Sequence, residues 1–445
     1  MRFGTDGIRG HADSDLTNDL AYAVGRAAAD VVGAQSGHRA VIGADPRASS
    51  PRIVAAVSAG LAAGGVNVVD LGVVPTPIVA GEAAHSGALG VMVSASHNPF
   101  HDNGIKVFGP GGRKLDDDAQ AGIEAAMAAG NASGDLEIRE GQVSVANTDE
   151  VTARYRDRLV SAVGARALDG LHVVLDGANG AGSRIGPDVF AHLGARVTTI
   201  GVSPDGRNIN DGFGATAPGA LAAVVVDHGA DMGLALDGDA DRLIAVDANG
   251  SVVDGDHVMC VLAHDMRSRG VLVDDTVVVT VMSNLGFHIA MRDAEIRVIT
   301  TPVGDRAVVA AMEAAGASLG GEQSGHVIMA AYSATGDGIL TGAALAAAVA
   351  RSRRPLADLA AVMTSLPQVL VNVVTSERTG DVPADVAAEA DRVASELGDA
   401  GRVLVRASGT EPLLRIMVEA PTPAAADAAA QRIAAVAGRH RDIAG

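Results

Sequence analysis

The chain contains no tryptophan and, among its 445 residues, only six Phe and three Tyr. A surface that stacks nucleobases has little to be built from, and the cores must be packed with Ala, Val, Leu and Ile. A single cysteine, Cys260, rules out a disulfide framework within the chain and fits a reducing compartment. It stands in the apolar run His257-Val-Met-Cys-Val-Leu262, which reads as a buried, inert thiol. Basic residues are scarce: 34 Lys plus Arg against 53 Asp plus Glu give a net charge of -19, a field that repels nucleic acid and anionic membrane at long range. Any anionic ligand must therefore be held by a local cluster of cations. The longest apolar stretch, near Ile339 to Ala350, is too short for a membrane span. The opening Met1-Arg-Phe-Gly-Thr-Asp6 has no apolar signal core. The expectation is a cytoplasmic protein that binds neither nucleic acid nor membrane. Also missing are a G-x-S-x-G elbow and a P-loop G-x-x-x-x-G-K-[ST], which argues against an acyl hydrolase and a P-loop nucleotide enzyme.

What is present is ample core material, 48% hydrophobic residues with 20% charged, in a length that suits roughly three domains, give or take one. A repeated order of elements sets the architecture. The strand-like run Ala40-Val-Ile-Gly43 leads to a polar turn and an Ala-rich helix from about Pro51 to Ala63, then Val66-Asn-Val-Val-Asp70, a turn and helix, and Leu89-Gly-Val-Met-Val93, which ends in Ser94-Ala-Ser-His-Asn-Pro99. The order recurs as His172-Val-Val-Leu175, Arg196-Val-Thr-Thr-Ile200 and Met232-Gly-Leu-Ala-Leu236, ending in Asp237-Gly-Asp-Ala-Asp-Arg242. It recurs again as Val277-Val-Val-Thr280, Ile296-Arg-Val-Ile299 and Ala317-Ser-Leu319, ending in Gly321-Glu-Gln-Ser-Gly-His326. Short β-branched runs alternating with helices predict α/β units with largely parallel strands. The third strand of each unit ends in a loop dense with functional groups, and ligands of open α/β sheets sit at such carboxyl ends. The tail differs: a strand over Val369 to Ser376, a helix over Pro383 to Leu397 with Val386, Ala390, Val393 and Leu397 on one face, strands Arg402–Val405 and Leu413–Glu419, and a last helix opened by Thr422-Pro423 predict a small α+β domain. The resulting division is 1–150, 151–255, 256–366 and 367–445.

Four loops and two short segments carry the candidate chemistry. Asp237, Asp239 and Asp241 alternate after a hydrophobic strand, and three carboxylates so close repel by several kcal/mol without a cation. Oxygen-only donors favour a hard dication, Mg2+ or Ca2+, with a solvated acidic turn as the plainer alternative. An EF-hand fails on its spacing, since its sixth position would be Arg242 and its twelfth Ala248. Ser94-Ala-Ser-His-Asn-Pro99 offers two hydroxyls and an imidazole, and composition does not choose between Ser94 and Ser96; as a bare hexapeptide it also reads as a turn. Arg406-Ala-Ser-Gly-Thr410, with Arg415 beyond it, combines guanidinium, hydroxyls and a glycine in a way that suits an oxyanion; a hairpin turn with an exposed Arg is the plainer alternative. Gly321-Glu-Gln-Ser-Gly-His326 carries groups suited to sugar hydroxyls or an amine, and reads equally as a polar turn. Arg9, between glycines in Gly4-Thr-Asp-Gly-Ile-Arg-Gly10, and Lys106, shortly after the serine loop, read equally as surface charges.

Jointly, in this order and over nearly the whole chain, these loops resemble the α-D-phosphohexomutase superfamily. Within it, Phe3-Gly-Thr-Asp-Gly-Ile-Arg-Gly10 and the form of residues 321–326 are most similar to the bacterial enzymes that act on glucosamine phosphates. The resemblance implies an α/β fold of four domains around a central cleft, the first three alike and the fourth a small α+β domain. It implies an isomerase that interconverts glucosamine 6-phosphate and glucosamine 1-phosphate, with Mg2+ as cofactor and glucosamine 1,6-bisphosphate as intermediate. It makes Ser96 the phosphorylated nucleophile and Asp237, Asp239 and Asp241 the Mg2+ ligands, with a phosphoserine oxygen of Ser96 beside them. Glu322, Ser324 and His326 fall in its sugar-binding loop, and Arg406, Ser408, Gly409, Thr410 and Arg415 in its phosphate-binding loop. Arg9, His97, Lys106 and Arg242 match its acid/base and charge-stabilising set. A small-molecule sugar phosphate is the implied partner, and a homodimer is left open. Mannose or glucose phosphates as substrates are the nearest alternative; a non-catalytic sugar-phosphate sensor is a remote one.

Overall fold

The computed structural model describes residues 3–4, 7–129, 141–375, 381–407 and 412–441. They fall into two compact units, one of residues 1–282 and 295–362, the other of residues 283–294 and 363–445. In the first unit the described strands form three sheets. The first contains β1 (Ile8–His11), β2 (Arg39–Ala44), β3 (Asn67–Val73), β4 (Leu89–Val93), β5 (Asp102–Phe108) and β6 (Val143–Val145), in the order β1-β5-β4-β2-β3-β6. The second contains β7 (His172–Asp176), β8 (Arg196–Ile200), β9 (Met232–Leu236), β10 (Leu243–Asp247) and β11 (Val252–Val253), in the order β11-β10-β9-β7-β8. The third contains β12 (Thr276–Thr280), β13 (Arg297–Thr301), β14 (Leu319–Gly321) and β15 (Val327–Met329), in the order β13-β12-β14-β15.

The repeat read from the sequence is a repeat in space. In each sheet the first strand of the unit, β2, β7 or β12, lies between two parallel partners. Strands β4, β7, β9, β12 and β14 are buried at every position, which is why most of them read as continuous apolar runs rather than alternating ones. Each third strand then turns back into an antiparallel fourth strand, β5, β10 or β15. The serine, aspartate and glutamate loops are therefore equivalent hairpin loops at the carboxyl ends of β4, β9 and β14.

Two differences from the sequence reading have physical causes. Strand β5 carries Asp102, Asn103, Gly104 and Lys106, a composition poor in strand formers, so pairing with β4 and β1 makes it a strand where local pattern does not. The strand expected over Ala317–Leu319 instead occupies Leu319–Gly321. A Cβ at Gly320 would meet Met312 Sδ at 2.6 Å and the Val278 carbonyl oxygen at 2.9 Å. The helix Asp305–Ala315 and β12 press on this strand so closely that glycine fits best, and its low strand propensity hides the element.

In the second unit β16 (Gln368–Val374), β17 (Arg402–Ala407) and β18 (Leu413–Glu419) form an antiparallel sheet in the order β16-β18-β17. Val369, Val371, Val373, Leu414, Ile416, Val418, Val403 and Val405 enter one core, the two-residue period of a half-buried sheet. The helices Ala384–Leu397 and Pro423–Ala437 supply the other side of that core, the first through the expected stripe of Val386, Ala390, Val393 and Leu397. Thr422 caps the second helix by accepting the Ala425 N–H. The helix Leu285–Asp293 belongs to this unit as well, its first N–H donated to Glu419 Oε2 at 2.9 Å. Cys260 is buried, and burial pushes its thiol pKa up, so it stays a thiol as expected. Among the described residues no helix is long and apolar enough to cross a membrane.

Candidate active site

The serine and aspartate loops meet. Ser96 adopts a left-handed backbone, φ 54°, and its hydroxyl donates to Asp237 Oδ2 at 2.5 Å, across 141 residues of sequence. Ser94 is buried as Ser96 is, but its hydroxyl donates to Asp45 Oδ2 at 2.6 Å and accepts the Ser96 N–H at 2.9 Å. Of the two hydroxyls left open by composition, Ser96 Oγ is the one at the carboxylates. The loops can approach because Gly238 separates the aspartates: a Cβ there would lie 2.4 Å from the Ser96 carbonyl oxygen. Ala240, φ 57°, closes the six-residue hairpin between β9 and β10 with its N–H on the Asp237 carbonyl at 3.0 Å.

This turn gathers Asp237, Asp239 and Asp241, all buried, with one carboxylate oxygen from each within 4.8 Å of the others. At that separation each pair of charges repels by roughly 3–4 kcal/mol at an effective dielectric of about 20. Lys106 answers part of this, its buried Nζ lying 2.8 Å from Asp239 Oδ2 and 3.3 Å from Asp241 Oδ2. Thr76 Oγ1 donates to Asp239 Oδ2 at 2.6 Å. Burial, then Asp241 and Asp239, push the Asp237 carboxyl well above the usual range. Burial works against Asp241 too, but Lys106, then His326 and Arg242, hold it well below that range. Asp239 Oδ1 and Asp241 Oδ1 are buried and have no hydrogen-bond partner among the described residues. Three clustered carboxylates with two orphaned oxygens make a site fit for a divalent cation.

Beside the cluster a cavity of about 510 Å3 is lined by Arg9, His97, Asp241, Arg242, Glu322, Ser324 and His326, among others, a volume that suits a small-molecule ligand. Here the glutamate loop joins the other two. His326 Nδ1 lies 3.6 Å from Asp241 Oδ2, and its Nε2 accepts the Gly336 N–H at 3.1 Å. Glu322 Oε1 accepts the Gly304 N–H at 3.3 Å. His97 Nδ1 is 3.4 Å from Ser96 Oγ. Burial, then Arg242 and Arg9, lower its pKa to about 4, so the ring is neutral at neutral pH. The structure thus brings together Ser96, His97, Lys106, Arg9, Arg242, the three aspartates, Glu322, Ser324 and His326.

In the second unit Arg406 of β17 and Arg415 of β18 stand directly opposite each other, with Asn372 of β16 on the same rung. Their positions alternate with the residues that enter the core, so this rung lies on the other face of the sheet. Burial and the facing Arg415 pull the Arg406 guanidinium below its usual value. Like charges directly opposite are destabilising, and an anion between them offsets the repulsion. Ser408, Gly409 and Thr410 lie outside the described residues.

Asp45, Arg47, Thr76, Asn210 and Asp305 lie outside the sequence motifs. Asp45 has a faint signal, a polar residue at the carboxyl end of β2. Asn210 Nδ2 donates to the carbonyls of Ser96 and Asn98 at 2.9 and 3.0 Å, and nothing in its local sequence marks this. Asp305 lines the cavity and faces His326 Nε2 at 3.7 Å.

Comparison with known proteins agrees with this architecture. All four domain profiles of the phosphoglucomutase/phosphomannomutase family match: alpha/beta/alpha domain I over residues 1–133, domain II over 153–250, domain III over 254–366 and the C-terminal domain over 370–436. A curated phosphoglucosamine mutase of Rhodococcus erythropolis is 52% identical over 442 residues, covering 98% of this chain and 99% of its own. One of Mycolicibacterium paratuberculosis is 52% identical over 437 residues, covering 97% and 98%. The X-ray crystal structure of a phosphoglucomutase/phosphomannomutase family protein from Burkholderia thailandensis superposes with a TM-score of 0.81 at 26% identity, over 98% of this chain and 97% of that one. With every domain of the family matched in order, and relatives half identical from end to end, the chain belongs to the phosphoglucomutase/phosphomannomutase family as an enzyme of the isomerase class.

Proposed function

We propose that this isomerase interconverts glucosamine 6-phosphate and glucosamine 1-phosphate, with phospho-Ser96 as donor and glucosamine 1,6-bisphosphate as intermediate. The observation that carries the reading is the 2.5 Å contact of Ser96 Oγ with Asp237 Oδ2, in a cluster whose three carboxylates fit a dication. The choice of substrate rests on the two curated relatives, both phosphoglucosamine mutases over nearly their whole length. Oxygen-only donors suit Mg2+, which Asp237, Asp239, Asp241 and a phosphoserine oxygen would hold. When bound, it offsets the phosphoserine charge of about -1.5 to -2 and polarises the phosphorus.

Phosphoryl transfer depends on positioning and on neutralising spread charge more than on covalent chemistry. In the first half-reaction the sugar O1 hydroxyl attacks the phosphorus on Ser96. The O1–P bond forms as the Oγ–P bond breaks, and the O1 proton passes by way of a base in the cleft to the departing Oγ. His97 suits that role, being a neutral imidazole 3.4 Å from Ser96 Oγ, whereas Lys106 is engaged with Asp239 and Asp241, and Arg9 and Arg242 line the cavity as donors to the transferring group. Those three cations stabilise the transferring group. In the second half-reaction Ser96 Oγ takes the 6-phosphoryl group and its proton goes to the sugar O6. Glu322, Ser324 and His326 bind the sugar, and Arg406, Ser408, Gly409, Thr410 and Arg415 bind a substrate phosphate. Residues 1–150 then carry the nucleophile, 151–255 the cation, 256–366 the sugar and 367–445 the second phosphate, and the activity is cytoplasmic.

The test is intact mass with peptide mapping of protein incubated with glucosamine 1,6-bisphosphate, joined to turnover on glucosamine, glucose and mannose 6-phosphates. Phosphate on Ser96 and a preference for the amino sugar are expected. An unmodified Ser96 overturns the mechanism, and a strong preference for mannose overturns the substrate.

A further inference from the structure

Asp45 and Arg47 lie in the turn after β2, outside the serine, aspartate, glutamate and arginine loops, and both side chains are fully enclosed. A guanidinium has five N–H donors, and Arg47 makes five side-chain hydrogen bonds. Its Nε donates to Asp45 Oδ2 at 2.8 Å. One terminal nitrogen donates to the carbonyls of Pro99 and Asp102, the latter at 3.0 Å, and the other to those of Ser96 and Asn98 at 2.9 and 2.8 Å. Asp45 Oδ2 also accepts the Ser94 hydroxyl, which in turn accepts the Ser96 N–H. Four carbonyls, one hydroxyl and one N–H of residues 94–102 thus hang on a single buried ion pair.

The distribution of these bonds speaks for placement rather than for stability alone. A buried ion pair is a weak source of stability, because desolvation consumes most of the attraction, and an apolar pair of similar size does as well. What an apolar pair does not supply is a rigid fork that meets carbonyls on both sides. Ser96 needs such a hold. Its left-handed backbone is one that a non-glycine residue populates about 5- to 30-fold less readily than a right-handed one, and its Oγ must stay on Asp237.

We infer that Asp45, Arg47 and Ser94 are positioning residues for phosphoryl transfer at Ser96: they hold its backbone so that Oγ meets the metal loop, and they engage the Ser94 hydroxyl so that Ser96 alone takes the phosphoryl group. The inference rests on the reading of Ser96 as nucleophile. In loading, the Ser96 Oγ–P bond forms as a sugar O–P bond of the bisphosphate breaks, and the Ser96 proton goes to the departing sugar oxygen. Ser94, buried and bonded on both sides, takes no part.

The experiment compares Arg47→Lys, Ser94→Ala and Ser94→Thr with the native protein and with Ser96→Ala. Arg47→Lys keeps a positive charge beside Asp45 but has three donors for five acceptors; Ser94→Thr keeps the hydroxyl that Ser94→Ala removes. The readouts are kcat and KM for glucosamine 6-phosphate, the rate and position of phosphorylation by glucosamine 1,6-bisphosphate from mass spectrometry, and thermal unfolding. Arg47→Lys and Ser94→Ala are expected to lower kcat and the loading rate by about 10- to 100-fold, with KM within about threefold. Ser94→Thr is expected to recover most of the loss, and Ser94 to stay unmodified in Ser96→Ala. Native kcat in the folded Ser94→Ala and Arg47→Lys proteins overturns the inference. So does a loss that Ser94→Thr leaves unrepaired and that tracks the fall in melting temperature, or phosphate on Ser94. Should Arg47→Lys not fold, the Ser94 pair decides. If the native protein takes no phosphate on Ser96 and Ser96→Ala still turns over, the reading of the nucleophile fails instead, whatever the variants do.

Discussion

Replacing Gly238 with Ala adds one methyl group where the serine and metal loops touch. Its Cβ would lie 2.4 Å from the Ser96 carbonyl oxygen and 2.9 Å from both Asn210 Nδ2 and Ile209 Cδ1. Gly238 is not at positive φ, so the perturbation is contact and not backbone strain. The metal loop has no room to retreat. The Gly238 carbonyl accepts the Ala181 N–H at 2.8 Å, and Gly180 is so near that a Cβ on it would lie 2.4 Å from that same oxygen. Relief therefore falls on the serine loop, which must move by about 1 Å to reach ordinary contact distance. A shift of that size breaks a Ser96 Oγ to Asp237 contact of 2.5 Å. Misplacement by about 1 Å costs on the order of 100-fold in rate, or about 2.7 kcal/mol of barrier. Overpacking costs about 1–3 kcal/mol of stability, of which the stiffer unfolded chain returns about 0.4–1. The expected result is kcat lower by about 100-fold, KM nearly unchanged and a modest loss of stability, read by steady-state turnover and urea unfolding. A Gly238→Ala protein with kcat within about threefold of native refutes the claim that the two loops are held in contact to set the nucleophile.

Asp237→Asn removes a buried charge that burial, Asp241 and Asp239 all disfavour. It is expected to abolish turnover yet raise unfolding stability in EDTA by about 1–2 kcal/mol. In saturating Mg2+ the order reverses, because the native site alone gains the full binding energy; calorimetry in both buffers is the check. Asp176 is buried, accepts the N–H groups of Ala178 and Gly214 at 2.9 and 2.7 Å, and has its pKa pushed by burial from 3.8 up to about 6. A raised carboxyl pKa means that its contribution is complete below about pH 4 and lost as pH rises through about 6, a change of roughly 3 kcal/mol for about 2.2 units. The native protein should lose about that much stability relative to Asp176→Asn between pH 4 and pH 7, and a difference that stays flat across the window rules the account out.

How much of the site could be read in advance depended on what made each part local. The aspartate turn was legible because three alternating carboxylates after an apolar strand have few uses without a cation, and charge repulsion acts at any fold. Arg406 and Arg415 were legible as a basic pair near a glycine, although only the rung between β17 and β18 puts them opposite each other. Arg47 was not legible. An Arg after a strand reads as surface charge, and its enclosure depends on a hairpin loop about 50 residues away folding over it.

Taken alone, the chain of residues determined the three α/β repeats, the separate tail and the position of each functional loop, because hydrophobic periodicity and turn chemistry act over a few residues and survive without a partner. The tertiary structure alone decided which serine meets the carboxylates, that β5 is a strand, that Lys106 is enclosed among the aspartates, that residues 283–294 join the second unit, and that Gly238 must lack a side chain. Apart from β5, whose pairing with β4 joins residues 12 to 18 apart, those outcomes rest on contacts between groups far apart in the chain, such as the hydrogen bonds of Ser94, Ser96 and Thr76, which span 49 to 163 residues. Such contacts exist only after sheet pairing has set the loops side by side, and burial then sets the protonation and the hydrogen bonds of what is enclosed.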